Sequence, residues 1–502
     1  MTENLLNLGS PSEFWEYFEQ ISKIPHCSGN EGEVREFIRE EAEKFNFETK
    51  IDKAGNILVI IPPKKEKKSI IIIQSHMDMV CEKNKDVEHD FTKDPLKLKI
   101  ITIDGKKWLT AEGTTLGADN ATGMAYSLAL MKKIHDGELN FESLEIDLLF
   151  TVGEETGMFG AMQIDKELLR SNLLINLDSF RENFITIGCV GALITSLEVK
   201  VDLIEIKPIE EGLISLKINL TGLLGGHSGG DIHRGRANAI KLIAKVLWKI
   251  NKNLSIYIKS IDGGGTNRNA IPREANAVIY IKKNHISKIR DFLDNIMLEI
   301  KEDYSKIEDD IIISILETEI ITEDAVFSKD FQDKFLGVLL LFPHGPISMH
   351  PEFDNLVHTS TNLASIITRK NRIKIETLQR SFNSRRYNEI SDQINELFNL
   401  TNLKIKFKKV GGFGEWNPNF DSLLLKYVKE VYEDLLDDNF IITAVHGGLE
   451  PGVFKMHHPD LDMITIGPTL DFLHSPDERL DIQSVDKFWN IFIALLGKIN
   501  KK

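Results

Sequence analysis

The chain has 502 residues, 42% of them hydrophobic and 27% charged, with a formal net charge of -15. That length exceeds what one hydrophobic core usually organises, so two or three domains of a globular, soluble protein are expected. The acidic balance argues against nucleic acid or another polyanion as partner, since phosphate binding leans on clustered Lys and Arg; the run 64–68 (KKEKK) reads as a hydrophilic turn.

At the N-terminus, MTENLLNLGSPSEFW has no basic start followed by an apolar core, and no later apolar run approaches a membrane span. A cytoplasmic protein without a membrane partner is the expectation. Ser10, Pro11 and Glu13 predict a helix start ahead of Phe14, Trp15 and Phe18, and Ser28 with Glu31 predicts a capping box before EVREFIREEAEKF. Cys27, Cys81 and Cys189 are odd in number and widely spaced, which predicts free thiols in a reducing compartment. Short, almost continuously apolar runs at 56–61 (NILVII), 69–74 (SIIIIQ), 145–152 (EIDLLFTV) and 172–177 (NLLINL) predict strands covered on both faces. Among them lies 121–135 (ATGMAYSLALMKKIH), which places Met124, Leu128 and Met131 on one helical face. The alternation predicts an α/β fold, a mainly parallel sheet flanked by helices.

What leaves each strand is chemically informative. SIIIIQ runs into Ser75, His76, Met77 and Asp78; EIDLLFTV into Gly153, Glu154 and Glu155; NLLINL into Asp178; and MITIGP (463–468) is followed by His474. Asp119 sits in GTTLGADN, just before the Met124 helix. Taken singly, each has a bland explanation: a hydrogen-bonded structural histidine, a helix cap, or, for adjacent Glu154 and Glu155, a solvated turn. Ligands of open α/β sheets gather beyond the carboxyl ends of the strands, so these loops can converge on one crevice. Two imidazoles with several carboxylates suit zinc, manganese or cobalt, and suit copper(I) or an iron–sulfur cluster poorly.

At these residues the chain resembles the co-catalytic zinc exopeptidase family that includes aminoacylases and carnosinases, and within it the bacterial aminoacyl-histidine dipeptidases. The supporting strings are IPHCSGNE (24–31), SHMDMVCEKN (75–84), AEGTTLGADN (111–120), FTVGEETGMFGA (150–161), GGHSGGDIHRGRANA (225–239), GGGTNRNAIPREA (263–275), HGGLEPG (446–452) and LHSPDE (473–478). They run through nearly the whole chain. The resemblance implies two divalent metal ions, zinc foremost with cobalt and manganese as alternatives. His76 and Asp178 would hold one ion, Glu155 and His474 the other, and Asp119 would bridge them ahead of a cis Asp119–Asn120 peptide. Asp78 would accept the His76 ring N–H, and Glu154 would act as general base toward a water shared by the ions.

The middle of the chain reads as an insertion, giving a catalytic domain over 1–192 and 399–502 and an inserted α+β lid over 193–398. The resemblance relates that lid to a ferredoxin-like fold. It also implies that His227 approaches the substrate carbonyl oxygen, that Asn269 and Arg380 grip a substrate carboxylate, and that a homodimer can form. Arg385 and Arg386 compete with Arg380 for that role, and Phe180, Pro451 and Ala121 depart from the family pattern. The implied activity is hydrolysis of dipeptides and other short unblocked peptides, including Xaa-His. An N-acyl amino acid deacylase and a non-catalytic binding protein are the alternatives.

Overall fold

A computed structural model describes residues 8–206, 212–319, 325–436 and 439–501. Residues 1–7, part of the stretch read above as lacking an export signal, lie outside the described residues. The chain divides into two compact units: Met1–Cys189 with Trp416–Ala444 and Leu449–Lys502, and Val190–Glu415 with Val445–Gly448.

The first unit is built on an eight-stranded sheet ordered Glu48–Ile51, Ile57–Ile61, Leu144–Thr151, Ser69–His76, Leu173–Asn176, Asp462–Thr465, Phe184–Cys189 and Ile441–Val445. Its four middle strands are parallel neighbours. Three of them are the apolar runs SIIIIQ, EIDLLFTV and NLLINL, joined by Asp462–Thr465, and all are buried almost throughout because helices cover both faces. The remaining run, NILVII, forms Ile57–Ile61 and pairs antiparallel with Leu144–Thr151. Parallel alignment puts His76, the Glu154–Glu155 turn, Asp178 and the chain leading to His474 beyond the same ends of the strands. A separate four-stranded sheet pairs Lys106–Ala111, which leads toward Asp119, with Arg479–Asp481, which follows His474.

Helix Ala118–His135 is not amphipathic. Residues 118–131 are buried all round, because helices Ser12–Ser22 and Ile482–Asn500 enclose it; Tyr126 meets the ring of Phe14 at 4.4 Å and that of Phe488 at 5.0 Å. The predicted capping box also resolves differently. Helix Gly32–Lys44 begins at Glu31 without a side-chain cap, and the Ser28 hydroxyl donates to Asp78 Oδ2 at 2.7 Å.

The second unit carries a nine-stranded antiparallel sheet with helices against it. Leu213–Thr221, Ala239–Asn253, Tyr257–Gly264, Ala275–Lys282, Ile286–Asp303 and Ile312–Thr318 form a βαββαβ unit whose strands lie in the order 4-1-3-2, the ferredoxin-like arrangement. Gly191–Lys200, Lys329–Leu341, Val357–Arg369, Arg372–Ser381, Ser384–Asn399 and Ile405–Phe413 repeat that order. The two halves join where Gly263 and Gly264 pair with Ile366 and Ser365. Ile405–Phe413 pairs with Gly191–Lys200, so LKIKFKKV belongs to this sheet and not to a resumed catalytic domain at 399. The chain crosses back only after Glu415.

Cys27 and Cys81 are joined in a disulfide with Cα atoms 5.8 Å apart, contrary to the expectation of three free thiols. A bridge between Cys27 and Met79, with the Met79 N–H donating to the His26 carbonyl, brings the two loops together. The 54-residue separation concealed this in the sequence. Cys189 is buried and stands outside the disulfide.

Candidate metal centre

All the residues proposed as ligands lie in the first unit. His76 ends its strand in register with Thr151, and its Nε2 lies 2.9 Å from Asp119 Oδ1. His474 Nε2 lies 3.2 Å from the other oxygen of the same carboxylate, Oδ2, and 3.1 Å from Glu155 Oε1. Asp119 therefore stands between two imidazoles that are 398 residues apart in sequence, 76 to 474. His76, Asp119 and Glu155 each offer a ligand atom within 4.8 Å of the others, a group that could hold a metal ion. Asp178 joins through Asn120, whose Nδ2 donates to Asp178 Oδ1 at 3.3 Å and to the Leu177 carbonyl at 2.9 Å. The Asp119–Asn120 peptide is cis.

Asp78 meets both the His76 ring and the glutamate turn. The His76 ring Nδ1 lies 2.9 Å from the Asp78 backbone carbonyl and 3.4 Å from its carboxylate. That carboxylate accepts the N–H groups of Glu154 (2.9 Å) and Glu155 (3.1 Å), and the Ser28 hydroxyl. Two adjacent glutamates in a turn have backbone donors pointing one way; a buried aspartate accepting both fixes the turn and frees both side chains. Glu31 adds to this by accepting the Gly153 N–H at 3.0 Å.

Charge at the site is unbalanced. Burial pushes Glu154 and Asp178 well above the ordinary carboxylate range; the His76 ring opposes this, but nearby carboxylates raise both further. Burial raises Glu155 as well, with Asp119 adding to the effect. Although burial favours a neutral ring, the Asp119 and Asp78 carboxylates hold His76 well above its usual value. A crowd of carboxylates around two imidazoles is the donor set expected for divalent cations, whose charge relieves the repulsion. The residues present fit such ions.

Two buried acids escaped the sequence reading. Glu450, inside HGGLEPG, is fully buried, accepts from Gln74 Nε2 (2.6 Å) and Thr151 Oγ1 (2.8 Å), and is pushed up to about 7 chiefly by burial. Glu478, inside LHSPDE, accepts three backbone N–H groups near Asp119. Their motifs were visible, but an acid at a helix start or in a Pro-containing turn reads as exposed until the fold shows what covers it.

The second unit brings together the other predicted residues. Gly226–His227 pairs with Ala270–Ile271, and the Ser228 N–H donates to the Asn269 carbonyl at 2.7 Å. His227 Nδ1 accepts the N–H groups of Gly229 and Gly230, both at 3.2 Å, which puts the ring proton on Nε2. Arg380 is 4% exposed, lies 3.4 Å from Ser228 Oγ, and is lowered to about 10 by burial. Arg385 and Arg386 are exposed on the helix Ser384–Asn399. Of the three arginines, only Arg380 is buried beside the histidine loop.

The fold and this donor set define a class, the metallopeptidases with an inserted lid. A family model of the peptidase dimerisation domain (M20_dimer) matches residues 218–308, and one of peptidase family M28 matches residues 56–187. The cytosol non-specific dipeptidase of Escherichia coli is 34% identical over 98% of this chain and 99% of its own. The crystal structure of aminoacylhistidine dipeptidase from Vibrio alginolyticus superposes with a TM-score of 0.82 at 34% identity, covering 99% of this chain and 98% of that one. Aminopeptidase PepT from Bacillus cereus, 13% identical with a TM-score of 0.57 over 98% of this chain and 100% of its own, shares the fold. The chain belongs to the family of the E. coli cytosol non-specific dipeptidase.

Proposed function

We propose that this protein is a cytosolic dipeptidase that hydrolyses dipeptides and other short unblocked peptides, Xaa-His among them, with two divalent metal ions. The single observation that carries the metal reading is the Asp119 carboxylate, with His76 at one oxygen and His474 at the other. His76 and Asp178 would hold one ion, Glu155 and His474 the second, and Asp119 both; zinc fits this nitrogen and oxygen set, as do cobalt and manganese. When bound, such a pair supplies Lewis acidity, polarising a peptide carbonyl and lowering the pKa of a water toward about 7.

Glu154 is the general base. Its backbone is pinned by Asp78, and burial raises its proton affinity, which suits a group that takes a proton from water and returns it to the leaving amine nitrogen. On the second unit, His227 donates from Nε2 to the developing oxyanion. Arg380 takes the substrate carboxylate; among the described residues no carboxylate forms an ion pair with this buried guanidinium, and a buried cation calls for one. Asn269 assists from the adjoining loop. The Tyr257–Gly264 strand of the matched dimerisation segment already pairs within the chain, so a homodimer would use another surface.

A panel of dipeptides and N-acetyl amino acids tests the substrate class. Dipeptides, including Xaa-His, are expected to be cleaved with free N-termini required. Turnover of acylated amino acids with no dipeptide cleavage would replace this reading by the deacylase.

A further inference from the structure

The loop that carries His474 is bound to the loop that carries Asp119 by one side chain that takes no part in the chemistry above. Glu478 is 2% exposed. Its Oε2 accepts the Leu116 N–H at 2.9 Å and the Gly117 N–H at 3.0 Å, and its Oε1 accepts the Asp119 N–H at 3.2 Å. Its own backbone is held as well: the N–H donates to the Ser475 carbonyl at 3.0 Å, and the carbonyl accepts the Thr110 hydroxyl at 2.6 Å. A closed circuit results. From Asp119 it runs through the carboxylate to His474 Nε2, along a four-residue turn to Glu478, and back to the Asp119 N–H.

The circuit restrains backbone that would not rest there unaided. Phe472 and His474 have φ of +55° and +60°, and Gly117 has φ of +68°; non-glycine residues adopt this region rarely and at a cost. Arg479, next to Glu478, lies 4.7 Å from each of the Trp108 and Phe472 rings and so braces the far side of the same loop. A buried residue needed only to fill space would be apolar. Here both carboxylate oxygens are spent on the N–H groups of a ligand-bearing loop, the arrangement by which outer residues tune a metal site.

We propose that Glu478 is a positioning residue for the metal pair: by holding the Leu116–Asp119 backbone against the His474 turn, it places His474 and Asp119 so that they share one ion. This rests on the metal reading of the site, and the experiment separates the two. Glu478→Gln keeps size and one acceptor oxygen but turns an amide NH2 toward at least one of the three N–H groups. Metal-free wild type, Glu478→Gln, His474→Ala and the double variant are titrated with Co2+, following visible absorption and binding, with kcat and KM for a dipeptide measured after loading.

Wild type should take up two cobalt ions. Glu478→Gln should bind the His474-side ion about 10- to 100-fold more weakly, with an altered cobalt spectrum and with the loss in kcat, not KM. The double variant should be no worse for that ion than His474→Ala alone, because both changes break one circuit. Wild-type cobalt affinity and spectrum in Glu478→Gln would overturn the inference alone, as would a loss that adds in full to that of His474→Ala. Failure of wild type to bind cobalt would overturn the metal reading and this inference with it. Should Glu478→Gln not fold, Thr110→Val, which releases only the Glu478 carbonyl, is expected to weaken the same ion by about 2- to 10-fold; an unchanged affinity there would reduce Glu478 to a folding role.

Discussion

Adjacent glutamates are an awkward pair to place, and the structure shows what makes Glu154 and Glu155 usable. Asp78 takes both backbone N–H groups, so the two side chains need not share a direction and can divide the work. Glu155 reaches His474, whereas Glu154 stands among His76, Asp178 and Glu450. Substituting each therefore has a different signature. Glu154→Gln should lower kcat by at least about 10²- to 10⁴-fold, the usual worth of a general base, with metal content unchanged by elemental analysis. Glu155→Ala should weaken metal retention itself, on the order of tenfold or more. Metal loss in the first variant with full retention in the second would reverse the roles.

At the scale of elements, the strands were legible because burial on both faces forces near-continuous apolar runs, and NILVII, SIIIIQ, EIDLLFTV and NLLINL all became strands. What local pattern could not convey was what a polar side chain meets across the fold. Ser28 had the spacing of a helix cap, but its hydroxyl serves Asp78. LKIKFKKV alternates equally well for either unit, and only its pairing with Gly191–Lys200 decides. Asp147 is a buried acid within a central strand: it is fully buried, 3.0 Å from Arg170 Nη1, and pushed up to about 7 mainly by burial. The folded state then binds a proton more tightly than the unfolded chain between about pH 4 and 7, so stability falls as pH rises through that window, by up to about 1.4 kcal/mol per unit. In the metal-free protein, Asp147→Asn should flatten that slope, reducing the difference in unfolding free energy between about pH 4 and 8 by roughly 1–4 kcal/mol in denaturant titrations. A slope equal to wild type would show that the Arg170 pair already offsets the burial.

For the whole molecule, the site depends on topology more than on any local segment. Three parallel strands deliver His76, Glu154, Glu155 and Asp178; a fourth, Asp462–Thr465, leads to His474, and a separate small sheet pairs the segment after His474 with the one before Asp119. The proposed ligand residues stood out because most of them leave apolar strands and all of them sit in recognisable strings. Glu478 and Glu450 did not, since their value lies in backbone groups and hydroxyls that come near only after folding. The duplicated βαββαβ order of the second unit was equally hidden, because strand order leaves no trace in residue type when both halves alternate alike. The disulfide between Cys27 and Cys81 was missed for the same reason.

The most direct measurement is metal content against dipeptide turnover. Protein stripped by a chelator should lose hydrolysis of an Xaa-His dipeptide, and adding back zinc, cobalt or manganese should restore it in step with uptake of two ions per chain, while His474→Ala takes up fewer. Undiminished turnover by the stripped protein, or full two-ion uptake by His474→Ala, would contradict a centre in which His76 and His474 meet across Asp119.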